Sequence, residues 1–487
     1  MGRVSEIFKG MALNKVLNYL VSRYVIYFIQ FVNSIFIAIY LGPLYLGVWG
    51  FISLVDQYIG QFNFGITYSV NAIASINKNR ETYIKKIVGV AISLLIILSI
   101  VVVIFFIANY IFGFKIGEKF NFSKYVIIVC SIAIINFFNS LLSNLFRIYG
   151  KLFEIAFYQS IYPIIILIAI FFWKGDELLW AMVIINFVST VASFLLFFVK
   201  SPIQIRPLWN LRLSKKILHM GWHLFVYNTS FYLIIITTRS FVSQYYTVQE
   251  FGYFTFAFSL ANAILLLLQS LSFLIYPKLL NRFATASKER SAFLLSMVRD
   301  AYITTSHALI HIAIFIFPLF LFLFPKYESA GDAFKMIALA VVLYSNSFGY
   351  QGLIVAKGGE IQLGLFAFGA LCINVIVAFV LVLILNVPYS YVIISTMVTY
   401  LIYVYCLGFL GRKRIDLKTD FFSILKDVYP HRLFIPYLTS ICLILFKFSN
   451  IYFILPLMIF LLFNYREFWN IKNVTKQIIV NPDYINI

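Results

Sequence analysis

The chain has 487 residues, 62% of them hydrophobic and 11% charged, with a formal net charge of +20 and a mean hydropathy of +0.94. No stretch is polar enough or long enough to be a soluble domain, so lipid is the solvent for this fold. The 38 Lys and Arg residues are scattered over short loops with no soluble fold to present them, which argues against a nucleic-acid partner.

A bilayer core about 30 Å thick takes roughly 20 apolar residues per helix. By that measure spans fall at 16–40, 48–76, 87–111, 125–147, 153–173, 179–199, 219–243, 251–278, 301–324, 333–355, 361–385, 389–410, 433–447 and 451–465. The last two are short and divided by Lys447, Phe448, Ser449 and Asn450; they either cross separately or form a re-entrant pair, and are counted as two. Placing both termini on one side puts about 30 of the basic residues there and about 6 opposite, with Arg239 and Lys335 inside spans, so the positive-inside rule makes both termini cytoplasmic. The basic segment from Met1 to Lys15 has no small-residue cleavage site and is expected to lie along the membrane surface. The expected class is an all-α polytopic membrane protein of about 14 transmembrane helices.

The cytoplasmic gaps from Lys200 to Leu218 and from Gly411 to Arg432 divide the spans six, six and two. The expected domains are a six-helix lobe over 1–210, a second over 211–425, helices 13 and 14 over 426–465, and a cytoplasmic tail over 466–487. An internal repeat supports the division: Tyr40, Gly47, Trp49 and Phe51 recur as Tyr245, Gly252, Phe254 and Phe256, at an offset of 205 residues. Each copy puts a glycine-containing turn at the outer surface, followed by aromatic interface anchors. Two like-oriented halves predict alternating access to a central cavity.

Polar groups inside a span are costly and face the bundle interior or water. At helical spacing, span one carries Arg23, Tyr27, Gln30 and Ser34, and span two carries Ser53, Asp56, Asn63, Thr67 and Asn71. Span seven carries Asn228, Tyr232, Arg239 and Ser243, and span eight Thr255, Ser259, Asn262 and Gln269. Span four adds Asn136, Ser140, Ser143 and Arg147. Each group has a bland reading as interhelical hydrogen bonding; together the first four stripes predict a hydrated cavity. Arg23, Tyr27, Gln30, Asn63, Asn228, Tyr232, Arg239, Asn262 and Gln269 are its candidate lining. A guanidinium's forked donors suit phosphate oxygens, and the amides and hydroxyls suit sugar.

Asp56 needs a partner or a proton at its depth, with Arg23 as one candidate partner. His307 and His311, at i and i+4, are further candidates to titrate, so Asp56, His307 and His311 form the ion-coupling set. Neither this pair nor His219 with His223 has the glutamate or third ligand of a metal site. Cys130, Cys372, Cys406 and Cys442 lie singly in apolar spans, which gives no disulfide framework and no zinc spacing. There is no phosphate-binding loop for ATP hydrolysis, and no cofactor is expected.

The segment Leu41, Gly42, Pro43, Leu44, Tyr45, Leu46, Gly47, Val48, Trp49 and Gly50 carries a resemblance, with Phe62, Asn63, Phe64, Gly65 and Ile66. Glu250, Phe251, Gly252 and Tyr253, and then Tyr276, Pro277, Lys278 and Leu279, add to it. Together they resemble the polysaccharide transporter family, the O-antigen flippases of the multidrug/oligosaccharidyl-lipid/polysaccharide exporter superfamily. The resemblance implies a two-lobed carrier in a bacterial inner membrane that moves undecaprenyl-pyrophosphate-linked oligosaccharide outward, making and breaking no bonds. Membrane lipids and a polysaccharide polymerase are the expected partners. Cavity cations receive the pyrophosphate in that family, a role carried over here to Arg23 and Arg239. Two positions depart from the pattern: Asn63 stands for an aspartate, and Arg239 occupies a place often acidic. The alternative is an ion-coupled multidrug or metabolite exporter of the same fold. A membrane polymerase or glycosyltransferase is disfavoured, because the longest outer gap, Phe112 to Lys124, is about 13 residues and too short to carry catalytic groups.

Overall fold

The computed structural model describes residues 15–77, 80–113 and 115–480, with side chains for all of these except 15–21, 76, 110, 223, 224, 267, 269–278, 323 and 471–480. The N-terminal segment expected to lie along the surface falls outside the described residues. The helices are α1 (Lys15–Gln61), α2 (Ile66–Ile76), α3 (Glu81–Phe112), α4 (Val126–Ile148), α5 (Leu152–Ala169), α6 (Gly175–Val199), α7 (Leu211–Tyr245) and α8 (Val248–Thr285). They continue as α9 (Lys288–Leu323), α10 (Gly331–Ser345), α11 (Tyr350–Ala356), α12 (Glu360–Phe379), α13 (Ile394–Arg414), α14 (Phe421–Val428), α15 (His431–Leu445) and α16 (Ile454–Val480). Among the described residues there is no strand, and ten helical segments are long and apolar enough to cross a bilayer. The protein is an all-α polytopic membrane protein, as its composition predicts.

The chain forms two compact units, Met1–Thr229 with Tyr246–Gly252, and Ser230–Tyr245 with Tyr253–Ile487. In the first unit, sequence spans one and two share α1, which kinks at Gly42 (φ 71°, ψ 166°), a left-handed conformation that suits glycine. Two side-chain amides tie helices together: Asn33 Nδ2 donates to the Pro163 carbonyl at 2.7 Å, and Asn139 Nδ2 donates to that of Thr190 at 3.0 Å. The rings of Phe146 and Phe197 pack with centroids 4.8 Å apart between α4 and α6.

The two copies of the repeat touch inside this unit. A Cβ on Gly47 would fall 2.0 Å from the Val248 carbonyl oxygen, and one on Gly252 would fall 1.8 Å from that of Pro43. The repeat offset carries Pro43 onto Val248 and Gly47 onto Gly252, so each copy uses the same position to meet the same position of the other. Such reciprocity is the mark of a two-fold relation. Phe120 stacks on Phe51 at 4.3 Å and meets Phe251 edge-on at 5.8 Å. Lys119 Nζ donates to the Tyr246 carbonyl at 2.7 Å; partial burial pushes its ammonium pKa down, against the opposing pull of Glu250.

Span two is broken between α1 and α2, where Phe64 and Gly65 have φ of 46° and 75°. Asn63 holds the break: its Nδ2 donates to the Gly60 carbonyl at 2.8 Å, and its Oδ1 accepts from the Gly65 amide at 3.0 Å. A Cβ on Gly65 would sit 2.4 Å from the Gly221 carbonyl oxygen, so the broken span and α7 meet backbone to backbone.

The second unit is tied by buried polar clusters. Thr238 of α7 bonds Thr396 at 2.8 Å and Ser395 at 3.1 Å on α13, while Asn374 Nδ2 of α12 donates to the Ile234 carbonyl at 2.8 Å. Lys335, left inside a span by the sequence, donates to Asn450 Oδ1 at 2.7 Å and lies 4.7 Å from the Phe453 ring centroid, which fixes the turn between α15 and α16. Span ten is interrupted between α10 and α11, with Gly349 at φ 86°. There Arg299, 2% exposed, donates to the Asn346 carbonyl at 3.1 Å, to Asp427 Oδ1 at 2.9 Å and to the Asp427 carbonyl at 2.6 Å. Asp427 Oδ2 also accepts from Arg412 at 2.9 Å and from the Tyr350 hydroxyl. Arg432 joins Asp300 at 3.0 Å, Thr304 at 2.7 Å and Asn464 at 2.8 Å, which clamps α15 and α16 onto α9.

Two stability predictions follow from these contacts. Gly252→Ala pushes a Cβ into backbone and is expected to cost about 1–3 kcal/mol. Gly369→Ala, where nothing lies within 4 Å, is expected to be neutral or stabilising by up to about 1 kcal/mol through helix propensity. Asp427→Asn leaves the buried Arg299 charge uncompensated and is expected to cost about 3 kcal/mol, whereas Asp416→Asn, which removes the exposed pair with Lys288, costs at most about 1 kcal/mol. Thermal unfolding of the detergent-solubilised variants measures all four.

Candidate functional site

A cavity of about 340 Å³ opens in the first unit, lined by α1, α4, α5 and α6; this is within the lower range of small-molecule sites. From α1 come Arg23, Ile26, Tyr27 and Gln30, one turn apart on a single face. Asn136 comes from α4, Tyr158, Gln159, Ile161, Tyr162 and Pro163 from α5, and Asn186, Ser189, Thr190 and Ser193 from α6. Among the described residues, Arg23 is the one charged residue in this lining, and no carboxylate is part of it. Its Nε donates to the Tyr27 hydroxyl at 2.7 Å, and its guanidinium carbon lies 5.4 Å from the Tyr27 ring centroid. The tyrosine thereby holds the guanidinium from one side.

Other wall residues are fixed by their own helices. Pro163 has no N–H to donate to the Gln159 carbonyl, so α5 is locally loosened where it borders the cavity. Ser193 Oγ donates to the Ser189 carbonyl at 2.7 Å, while the buried Ser189 hydroxyl has no partner among the described residues. The wall is thus amide, hydroxyl and phenol around a single cation.

Of the residues singled out in the sequence, Arg23, Tyr27 and Gln30 meet in this cavity, joined by Asn136 of the span-four stripe. Asn63 lies outside the lining, its side chain taken up by the break between α1 and α2. The remaining candidates lie elsewhere: Asn228 in the first unit, and Tyr232, Arg239 and Asn262 in the second. Tyr232 is exposed, Arg239 is buried with its guanidinium 4.9 Å from the Phe258 ring centroid, and Asn262 donates to the Phe258 carbonyl of its own helix at 2.8 Å. The side chain of Gln269 lies outside the described residues.

Asp56 makes no ion pair among the described residues, and Arg23, its expected partner, bonds Tyr27 instead. The four-residue spacing of Arg23 and Tyr27 along one helix face brings these two groups together without help from span two. The Asp56 carboxylate lies within electrostatic reach of Tyr158 in the cavity wall.

His307 and His311 are buried in the second unit, with ring centroids 6.3 Å apart. Asn346 uses its Nδ2 on the Val428 carbonyl, so its Oδ1 accepts from His307 Nε2 at 3.0 Å. That bond places a proton on Nε2. His307 is thereby part of the scaffold around the break in span ten.

Sequence reasoning missed the α6 wall, although Asn186, Ser189, Thr190 and Ser193 stand at i, i+3, i+4 and i+7, the spacing of one helix face. It also missed Tyr158 and Gln159, whose aromatic and amide character is unremarkable in a chain with 33 tyrosines.

No family model matches the chain, and no curated relative does. Solved structures do match. An inward-facing multidrug resistance MATE family transporter of the MOP superfamily superposes with a TM-score of 0.68 at 14% identity, covering 82% of this chain and 98% of its own. The lipid II flippase MurJ in an inward closed conformation superposes with a TM-score of 0.59 at 15% identity, covering 96% of this chain and 100% of its own. A MOP superfamily transporter from Pyrococcus furiosus Vc1 (DSM3638), described as having a binding pocket of reverse polarity, gives 0.52 at 14% identity, covering 82% and 95%. The chain is a multi-pass integral membrane protein with the fold of MOP superfamily transporters.

Proposed function

We propose that the protein is a flippase that moves undecaprenyl-pyrophosphate-linked oligosaccharide, a surface-polysaccharide repeat unit, across a bacterial inner membrane. The observation that carries this reading is the charge of the cavity: among the described residues, one guanidinium, no lining carboxylate, and a wall of amides and hydroxyls. Arginine offers bidentate donors to pyrophosphate oxygens, while Gln30, Asn136, Asn186 and Thr190 suit sugar hydroxyls. The prenyl tail stays in lipid, where burying it costs nothing. A lipid flippase covering 96% of the chain, against 82% for the MATE transporter, supports the same reading.

Transport needs the site to face each side in turn. The reciprocal glycine contact between Gly47 and Val248, and between Gly252 and Pro43, supplies a flat backbone contact able to part without unthreading side chains. Asp56 is the group we assign to exchange a proton or small cation as the cavity fills, because it is a carboxylate within span two that has no ion-pair partner among the described residues. His307 and His311 stay secondary in that role, since Asn346 commits His307 to a structural bond. Arg239 belongs to the same proposal only as a second candidate cation.

The alternative is an ion-coupled exporter of drugs or metabolites, favoured by the higher TM-score of the MATE transporter. A cationic drug calls for an acidic, aromatic pocket, and Arg23 opposes it.

Depleting the protein in its native cell and quantifying lipid-linked oligosaccharide by mass spectrometry separates the two. Completed repeat units are expected to accumulate, and wild type to clear them. Arg23→Ala, expressed at the same level, loses a charge-assisted contact worth about 1.5–3 kcal/mol, roughly tenfold to a hundredfold in affinity, and clears them poorly. Unchanged lipid-linked glycan, with new sensitivity to cationic drugs, would establish the exporter instead.

A further inference from the structure

The helix α14, between the spans α13 and α15, has no place in the transport reading. Eight residues rise about 12 Å, too short to cross a bilayer, and the axis turns by 74° into α15. It follows directly on Arg412, Lys413 and Arg414, the basic last turn of α13, on the side where positive charge gathers.

One face of α14 is committed to the protein. Ile424 and Val428 are buried against Gly408 of α13, where an added Cβ would sit 2.4 Å from Val428 Cγ2. Phe421, its ring 5.5 Å from that of Tyr405, borders that face and is 58% exposed, while Phe422 points away from it and is 76% exposed. Two adjacent phenylalanines open to water on a soluble surface would be costly; at the edge of a bilayer they are buried among acyl chains and glycerol groups.

The charges around them are unbalanced. Three carboxylates lie in this stretch, and each is already engaged: Asp416 pairs with Lys288, Asp420 caps α14 by accepting from the Ser423 amide at 3.0 Å, and Asp427 turns inward to Arg299 and Arg412. Lys413, Lys418 and Lys426 are exposed, and none of them forms an ion pair among the described residues. Lys426 follows Phe422 by four residues, so the two share one helix face.

We propose that α14 and the loop before it form a docking surface for anionic phospholipid headgroups of the adjoining leaflet, with Phe422 inserted below the phosphates and Lys413, Lys418 and Lys426 among them. Basic residues flanking inserted aromatics are the chemistry that selects acidic over zwitterionic lipid. The surface is wired to the interior. The C-terminal end of α14 is held by Arg299 on the Asp427 carbonyl and by Asn346 on the Val428 carbonyl at 3.2 Å, so a headgroup that steadies α14 also steadies the break in span ten.

Amide hydrogen exchange of the full-length protein, in phosphatidylcholine nanodiscs with and without phosphatidylglycerol, tests this. Exchange over 421–428 is expected to slow several-fold with phosphatidylglycerol at low salt and to lose that effect at high salt, as surface electrostatics do. The combined variant Lys413→Gln, Lys418→Gln and Lys426→Gln abolishes the slowing, and Lys85→Gln with Lys86→Gln, in the first turns of α3, keeps it. Equal exchange in both lipids overturns the proposal. Equal loss of the effect in both variants also overturns it, because it would assign the response to bulk charge rather than to α14.

Discussion

Lipid offers no hydrogen bonds, so every backbone N–H and C=O inside the bilayer must find its partner within the protein. That constraint makes the described chain predominantly helical, and it makes an interruption of a helix a place where a side chain can act. Asn63 serves both sides of the break between α1 and α2. Arg299 and Asn346 serve the ends exposed between α10 and α11 and at the end of α14. At Gly42 the turn between two helical stretches is made by a glycine's backbone freedom (φ 71°, ψ 166°).

Cations among the helices divide by the same rule. Arg299, Arg432 and Lys335 are consumed by carboxylates, amides and freed carbonyls, and they hold the second unit together. Arg23 differs in its setting: the phenol of Tyr27, one turn away, accepts from its Nε, and a cavity adjoins it.

Much of this was legible in the residues. The apolar stretches announced the fold class, and the stripe of Arg23, Tyr27 and Gln30 named one wall of the cavity, because charged and amide side chains in a span are rare enough to stand out. The repeat was legible too, and the mutual contact of its copies at Gly47 and Gly252 gives it a physical reason. Other features were hidden by what sequence cannot weigh. Asn63 looked like a ligand because its spacing fits a lining face, but spacing does not reveal that the helix stops there. The α6 wall is made of small hydroxyls and one amide, common enough in membrane helices to pass as packing. The short helix α14 was lost in a basic loop, since eight residues with two phenylalanines are too few for periodicity to speak.

Movement of a lipid headgroup across a bilayer is the central claim, and purified protein in liposomes tests it without the rest of the cell. A fluorescent prenyl-pyrophosphate sugar is placed in both leaflets, and a membrane-impermeant quencher is added outside. With the protein present, quenching is expected to proceed to nearly all of the probe, to slow in Arg23→Gln, and to leave a phosphatidylcholine probe half protected. A prenyl-pyrophosphate probe that stays half protected, in liposomes where the same protein carries a cationic dye across, would contradict the account.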